Sequence, residues 1–179
     1  MSRAAEGGSP HATLADLGER AKNLVEEGVL CGIIGATVVA VFFLFIDSLQ
    51  GKPLHTPSLL GSVLFLGRTA DEVRAIDPTI VFAYTGVHVL LFLMAGVGVA
   101  WMVSQFQRNP QFGLVLILVF LLFQAVIFGL EVSMVPSLVG ALGAGIVAVA
   151  NILAAVAMFG YLLRRHPEAM TRLREGWNG

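Results

Sequence analysis

The stretch PTIVFAYTGVHVLLFLMAGVGVAWMVS, residues 78–104, contains no Lys, Arg, Asp or Glu. An α-helix rises 1.5 Å per residue, so about 27 residues are enough to cross the roughly 30 Å hydrocarbon core of a bilayer. His88 lies about ten residues into this run, which places its imidazole ~15 Å along such a helix, near the middle of the membrane. An ionisable side chain is costly at that depth, so we expect it to face protein or water rather than lipid.

The composition of the whole chain is typical of a membrane protein. Of its 179 residues, 56% are hydrophobic and 13% are charged, and the mean hydropathy is +0.82. A water-soluble domain carries about 25% charged residues. The deficit of charge is concentrated in four long apolar runs, which predict an all-α, polytopic membrane protein with a four-transmembrane-helix bundle. The net charge of −1 argues against nucleic acid as a partner.

The alternation of polar and apolar segments predicts the organisation of the chain. Residues 1–12 are predicted to be a disordered arm, and 13–27 an amphipathic helix that either lies on the membrane surface or extends the first span. The transmembrane domain covers 28–166, and 167–179 form a basic cytoplasmic tail. Because the N-terminal segment lacks the early apolar core of a cleavable signal, we expect the first span to remain in the mature protein. The predicted spans are about 29–46, 78–104, 112–132 and 138–163, with a lid of short helices at 47–77.

The predicted lid contains an apolar run that is too short to span, PSLLGSVLFL at 57–66, for which Thr56 is the predicted N-cap. Thr69 followed by Glu72 matches a capping box for a further short turn. Within the spans, small residues spaced by four predict close approach of helices. These are Gly32, Ala36 and Ala40 in the first span, and Gly140, Ala144 and Ala148, with Ala141 and Gly145, in the fourth.

The basic residues predict the orientation. Eight Lys and Arg residues fall on the side that carries the two termini and the second connection, and three fall in the long first connection. The positive-inside rule therefore predicts that both termini are cytoplasmic and that the lid lies outside. Arg outnumbers Lys, and Ala, Gly and Val are abundant, which favours a bacterial protein of the inner (plasma) membrane.

Polar side chains from separate spans are predicted to meet inside the bundle, below the lid. Tyr84 and Thr85 share a helix face with His88, because they precede it by four and three residues. The third and fourth spans each carry polar residues at a similar depth, and Asp47 marks the outer rim. Thr37 is expected to bond to its own helix backbone. The candidate polar or ligand-binding cluster consists of His88, Tyr84, Thr85, Gln124, Glu131 and Asn151.

Three functions remain open for this cluster. The first is a non-enzymatic structural or accessory subunit of a membrane assembly or homo-oligomer, in which His88 bonds to Gln124 or Asn151 and fixes helix register. The second is a redox, haem-binding or small-ligand-binding subunit that uses His88. Ligation of haem b would need a second histidine, either His55 of the lid or His88 of another copy. The third is a proton or small-solute conduit.

The sequence offers little support for enzyme activity. It contains no phosphate loop, dinucleotide fingerprint or zinc motif. Its single cysteine, Cys31, excludes an intrachain disulfide and a Cys-rich metal site. No catalytic residue, metal or resident cofactor is therefore predicted, and the lipid bilayer is the partner that the hydropathy requires.

Overall fold

In the computed structural model, which describes residues 14–108 and 143–166, the described chain is helical and contains no strand. The predicted third span, 112–132, lies outside the described residues. The elements are α1 (Leu14–Leu49), α2 (His55–Leu66), a 3-10 turn (Ala70–Glu72), α3 (Pro78–Arg108) and α4 (Ala144–Arg165).

Three of these helices, α1, α3 and α4, are each long and apolar enough to cross a membrane. The prediction of an all-helical chain with transmembrane helices is confirmed to that extent. α1 has 36 residues, and at 1.5 Å per residue it is ~54 Å long. Since the hydrocarbon core is about 30 Å thick, a substantial part of α1 must extend beyond it.

The predicted amphipathic segment and the predicted first span form one continuous helix. No proline occurs between residues 14 and 49, and a break would leave backbone N–H and C=O groups without partners. The polar segment therefore extends the span along the same axis, which is one of the two arrangements that the sequence allows. Leu14 and Leu17 in this extension are exposed.

α1 and α3 run antiparallel and approach each other at glycines. A Cβ atom added to Gly96 of α3 would overlap the carbonyl oxygen of Gly28 and the amide nitrogen of Gly32, both on α1. The close approach predicted for Gly32 and Ala36 is confirmed, since both are buried. Ala40, the third member of the predicted row, is exposed, and Gly28 takes part in the contact instead.

α4 packs against the other side of α1, also antiparallel to it. The Cys31 thiol donates to the backbone carbonyl of Met158, with Sγ 3.8 Å from the oxygen. Nearer the start of α1, Glu27 Oε1 lies 2.7 Å from His166 Nε2, and the two form an ion pair when His166 is protonated. The beginning of α1 and the end of α4 therefore lie at the same end of the molecule.

Gly140 and Ala141, the first members of the two predicted small-residue rows, lie outside the described residues, and the members that can be compared are not on the packed face of α4. Gly145 and Ala148 are exposed. The buried residues recur every four positions and are Ala150, Ala154, Met158 and Leu162. Because the packed row also begins with two alanines, α4 carries more than one small-residue face, and spacing alone does not distinguish them.

α2 packs mainly against α3. Ser58 and Ser62 are buried at 0% and 1% exposure. A Cβ atom on Gly61 would lie 2.5 Å from Cγ2 of Ile80. The backbone N–H of Asp77, which immediately precedes α3, donates to Ser58 Oγ at 3.1 Å. Small side chains on this face of α2 thus let it lie directly on the start of α3.

The predicted capping box at the 3-10 turn is present. The backbone N–H of Thr69 donates to Glu72 Oε2 at 2.8 Å. This bond occupies a donor that would otherwise have no partner at the start of the turn. It thereby fixes the chain between α2 and α3.

Candidate functional site

The structure brings three of the predicted cluster residues together and separates a fourth. Tyr84, Thr85 and His88 lie on α3 and line one pocket. Asn151 is exposed on α4. Gln124 and Glu131 lie outside the described residues, so the predicted contacts with them stay predictions. Thr37 donates to the carbonyl of Ile33 at 2.7 Å, within its own helix, as expected.

His88 is held against α1 by a hydrogen bond between helices. Its Nε2 lies 3.2 Å from the backbone carbonyl oxygen of Ala36. The partner is a main-chain carbonyl, whereas the sequence predicts polar side chains of other spans as partners. The contact is possible because the small residues below it, Gly32 and Gly96, bring the two backbones together.

Two aromatic rings on α3 confine the imidazole of His88. The Tyr84 ring lies at 6.1 Å between centroids with planes 28° apart, and the Phe92 ring at 4.8 Å with planes 51° apart. These residues lie one turn before and one turn after His88 on the same helix face. The ring therefore keeps its orientation through neighbours on its own helix, and α1 supplies its hydrogen-bond acceptor.

The pocket is a cavity of about 300 Å³ between α1, α2 and α3. This volume is at the lower end of the range for small-molecule sites, roughly 300–1,000 Å³. Its walls are mostly apolar side chains, and none of the lining residues within 14–108 and 143–166 is Asp, Glu, Lys or Arg. The polar lining residues are Thr56, Tyr84, Thr85 and His88, and the apolar ones include Val39, Phe43, Leu44, Leu54 and Leu60.

The two threonines of the pocket already use their hydroxyl hydrogens. Thr85 Oγ1 donates to the carbonyl of Val81 at 2.7 Å, within α3. Thr56 Oγ1 donates to Asp47 Oδ1 at 2.7 Å. The threonine oxygens that line the pocket can therefore act toward a ligand only as hydrogen-bond acceptors.

Asp47 fastens α2 to the end of α1, a role that sequence reasoning missed. It is 2% exposed. Besides the Thr56 hydroxyl, its Oδ2 accepts the backbone N–H of Thr56 at 2.7 Å. A carboxylate at a helix N-terminus satisfies free N–H groups and complements the helix dipole. The sequence signal for this role is an acidic residue at the end of a span, shortly before a short helix.

The prediction that Thr56 is the N-cap of α2 is wrong. The helix begins at His55, and the residue before it, Leu54, has φ 67°, which is unusual for a residue with a Cβ. Thr56 is therefore inside the helix and is not its N-cap. The tight turn brings Leu54, Thr56 and Leu60 to the pocket wall.

The described residues, 14–108 and 143–166, contain no cluster of three or more His, Cys, Asp or Glu that could hold a metal ion. His55, the lid histidine proposed as a second haem ligand, is not among the lining residues of the pocket. Haem b therefore remains a sequence-based prediction only.

No protein-family model, curated protein or solved structure matches this chain. Its functional interpretation depends on the pocket and on the packing of the helices around it.

Proposed function

We propose that this protein binds a small, neutral, largely apolar molecule within the membrane, in the pocket between α1, α2 and α3. One observation carries the proposal: a cavity of about 300 Å³ has apolar walls and a few convergent polar groups, among them His88. Ligand sites in proteins typically combine an apolar lining with a small number of placed polar groups. This corresponds to the small-ligand alternative among the functions that the sequence leaves open.

The ligand is proposed to be neutral because the pocket offers no compensating charge. None of the lining residues that the structure describes is Asp, Glu, Lys or Arg. A buried ion without a partner is strongly disfavoured in an apolar environment. A neutral molecule with one or two polar groups avoids that cost and fills the apolar walls.

The ligand is proposed to enter sideways from the lipid. Val41 and Leu44 of α1 line the pocket and are 59% and 43% exposed. They lie in the apolar half of α1, so their exposed surfaces face acyl chains when α1 spans the bilayer. An apolar molecule dissolved in the membrane would then reach His88 without crossing water.

The proposed topology has four spans with both termini inside and α2 as an outer lid. α3 and α4 are both antiparallel to α1. The C-terminus of α3 and the N-terminus of α4 therefore lie at opposite ends of the molecule. Residues 109–142 connect these two ends and include the apolar run at 112–132. One further crossing would join them. Together with the charge distribution, this supports an N-in, C-in protein, for which we propose the bacterial inner membrane.

Filling the pocket should abolish binding. We expect Ala40→Trp to weaken binding of a fluorinated alkylbenzene by at least about tenfold, because Ala40 lines the pocket and an indole would occupy ligand volume. The measurement is ¹⁹F NMR of the probe titrated into protein in lipid nanodiscs. Ala148→Trp is the matched control, since Ala148 is exposed on α4. Equal binding by both variants, or none by the wild type, would contradict the proposed function.

A second function, an accessory subunit or homo-oligomer, is favoured by Asn151. This side chain is exposed in the first half of α4, near the exposed apolar residues Ile152 and Val156. An amide facing lipid is costly, and hydrogen bonding to another helix relieves that cost. A partner helix beside α4 would provide the bond. The conduit alternative depends on Gln124 and Glu131 and gains no support from the described residues.

Asn151→Leu tests the second function. If Asn151 bonds between copies, the substitution should weaken self-association by roughly threefold to tenfold, the effect of one interhelical hydrogen bond in lipid. Energy transfer between labelled copies in liposomes measures it. Ile152→Leu, an apolar change on the next residue, should leave association unaltered. Monomeric wild-type protein would exclude the homo-oligomer.

A further inference from the structure

We propose that the pocket selects molecules that donate a hydrogen bond, such as a phenol, a hydroquinone or an alcohol on an apolar body, and that His88 Nδ1 accepts this bond. The inference rests on the proposed function, since it names the ligand class of the same pocket.

The contact with α1 determines which nitrogen of His88 carries the proton. A backbone carbonyl oxygen is only an acceptor, so the 3.2 Å contact between Nε2 and Ala36 requires a hydrogen on Nε2. In a neutral imidazole the other nitrogen, Nδ1, then carries a lone pair. Within residues 14–108 and 143–166, Nδ1 has no hydrogen-bond partner.

The two threonines add acceptor oxygens to the polar part of the pocket. Thr85 donates its hydroxyl hydrogen to Val81, and Thr56 donates its own to Asp47. A ligand with only acceptor groups, such as an ether or an ester, would place its lone pairs against those of His88 Nδ1 and of the two threonine oxygens. A ligand that carries an O–H or N–H would donate to Nδ1, whereas a ligand without a donor would cover this acceptor and leave it without a hydrogen bond, which is unfavourable.

The pocket volume limits the body of the ligand. An apolar cavity of about 150 Å³ is sufficient for benzene. The pocket holds about 300 Å³, which leaves space for one ring and a short chain. The Tyr84 ring, which lines the pocket beside His88, offers aromatic surface at the polar end of such a molecule.

A matched pair of probes tests the inference. The probes are 3-fluoro-4-hexylphenol and its methyl ether, which differ in the hydroxyl hydrogen and one methyl group. They are titrated by ¹⁹F NMR into wild-type protein and into His88→Leu in lipid nanodiscs, after correction for each probe's partition into protein-free nanodiscs. We expect the wild type to bind the phenol about tenfold more tightly, the effect of one satisfied buried hydrogen bond. We expect His88→Leu to bind both probes equally.

A second readout uses the wild type alone, so it does not depend on the variant folding. The ¹⁵N resonance of His88 Nδ1 should move upfield on addition of the phenol, and that of Nε2 should move less. Equal wild-type affinities, or an unmoved Nδ1 resonance, would overturn the inference while leaving the apolar pocket intact. Failure of both probes to bind would overturn the inference together with the proposed function.

Discussion

Gly96→Ala is expected to lower the free energy of unfolding by about 3 kcal/mol, at the upper end of typical overpacking effects. The added methyl group would overlap backbone atoms of Gly28 and Gly32 and would lie 2.7 Å from Gly32 Cα. Backbone atoms of a packed helix cannot rotate away as a flexible side chain can. α1 and α3 must therefore separate, and the hydrogen bond between His88 and Ala36 should lengthen with them.

Unfolding in mixed micelles of increasing SDS content, followed by circular dichroism, measures the effect. Gly98→Ala is the matched control on the same helix, because a Cβ atom there meets nothing within 4 Å. We expect this control to leave stability unchanged or to raise it by up to about 1 kcal/mol through helix propensity. Equal stabilities of the two variants would show that the close contact of α1 and α3 is not a determinant of the fold.

Asp47→Ala is expected to release α2 from α1 and to lower the free energy of unfolding by about 2–3 kcal/mol. The loss comes from the missing charge-assisted hydrogen bonds, and it is partly offset because the variant does not have to bury a charge. Both hydrogen bonds that join α1 to α2 within the described residues are accepted by Asp47. The face of α2 that contains Ser58 and Gly61 would remain on α3. The pocket should therefore open along its boundary between α1 and α2 while the transmembrane helices stay packed.

Hydrogen–deuterium exchange follows this opening at the amides of Thr56, Ser58, Leu59 and Leu60, which should exchange faster in Asp47→Ala. Ser48→Ala is the control on the adjacent residue, because the Ser48 hydroxyl is exposed and donates to the Leu44 carbonyl of its own helix at 2.6 Å. Affinity for the alkylbenzene probe should fall in the first variant only. Unchanged exchange at Thr56 in Asp47→Ala would show that Asp47 does not hold α2.

Segments with a strong hydropathy signal were predictable from the sequence, whereas their contacts were only partly so. α3 begins at Pro78 as predicted and ends at Arg108, four residues later than expected. The use of Gly32 and Ala36 for close packing was also anticipated. The exposure of Ala40 and the burial of Gly28 were not, because a row of small residues along one helix does not indicate where the neighbouring helix crosses it.

In the candidate site, too, some features could be predicted from the sequence and others could not. The position of Tyr84 and Thr85 beside His88 followed from helical spacing. The bond from His88 to Ala36 did not, since a main-chain carbonyl is present at every residue and gives no sequence signal. The contacts of Asp47 with Thr56 depend on a chain reversal between α1 and α2 that involves the unusual backbone of Leu54.

The sequence by itself determined where apolar helices occur and which helix face carries His88, because hydropathy and the 3.6-residue period are local properties of the chain. Only the tertiary structure decided which small residues touch, that α2 closes one side of a pocket, and that Asn151 does not share that pocket. These depend on the rotation and crossing of helices that are distant in sequence. Several faces of similar composition compete for each contact, and the energy of packing selects among them.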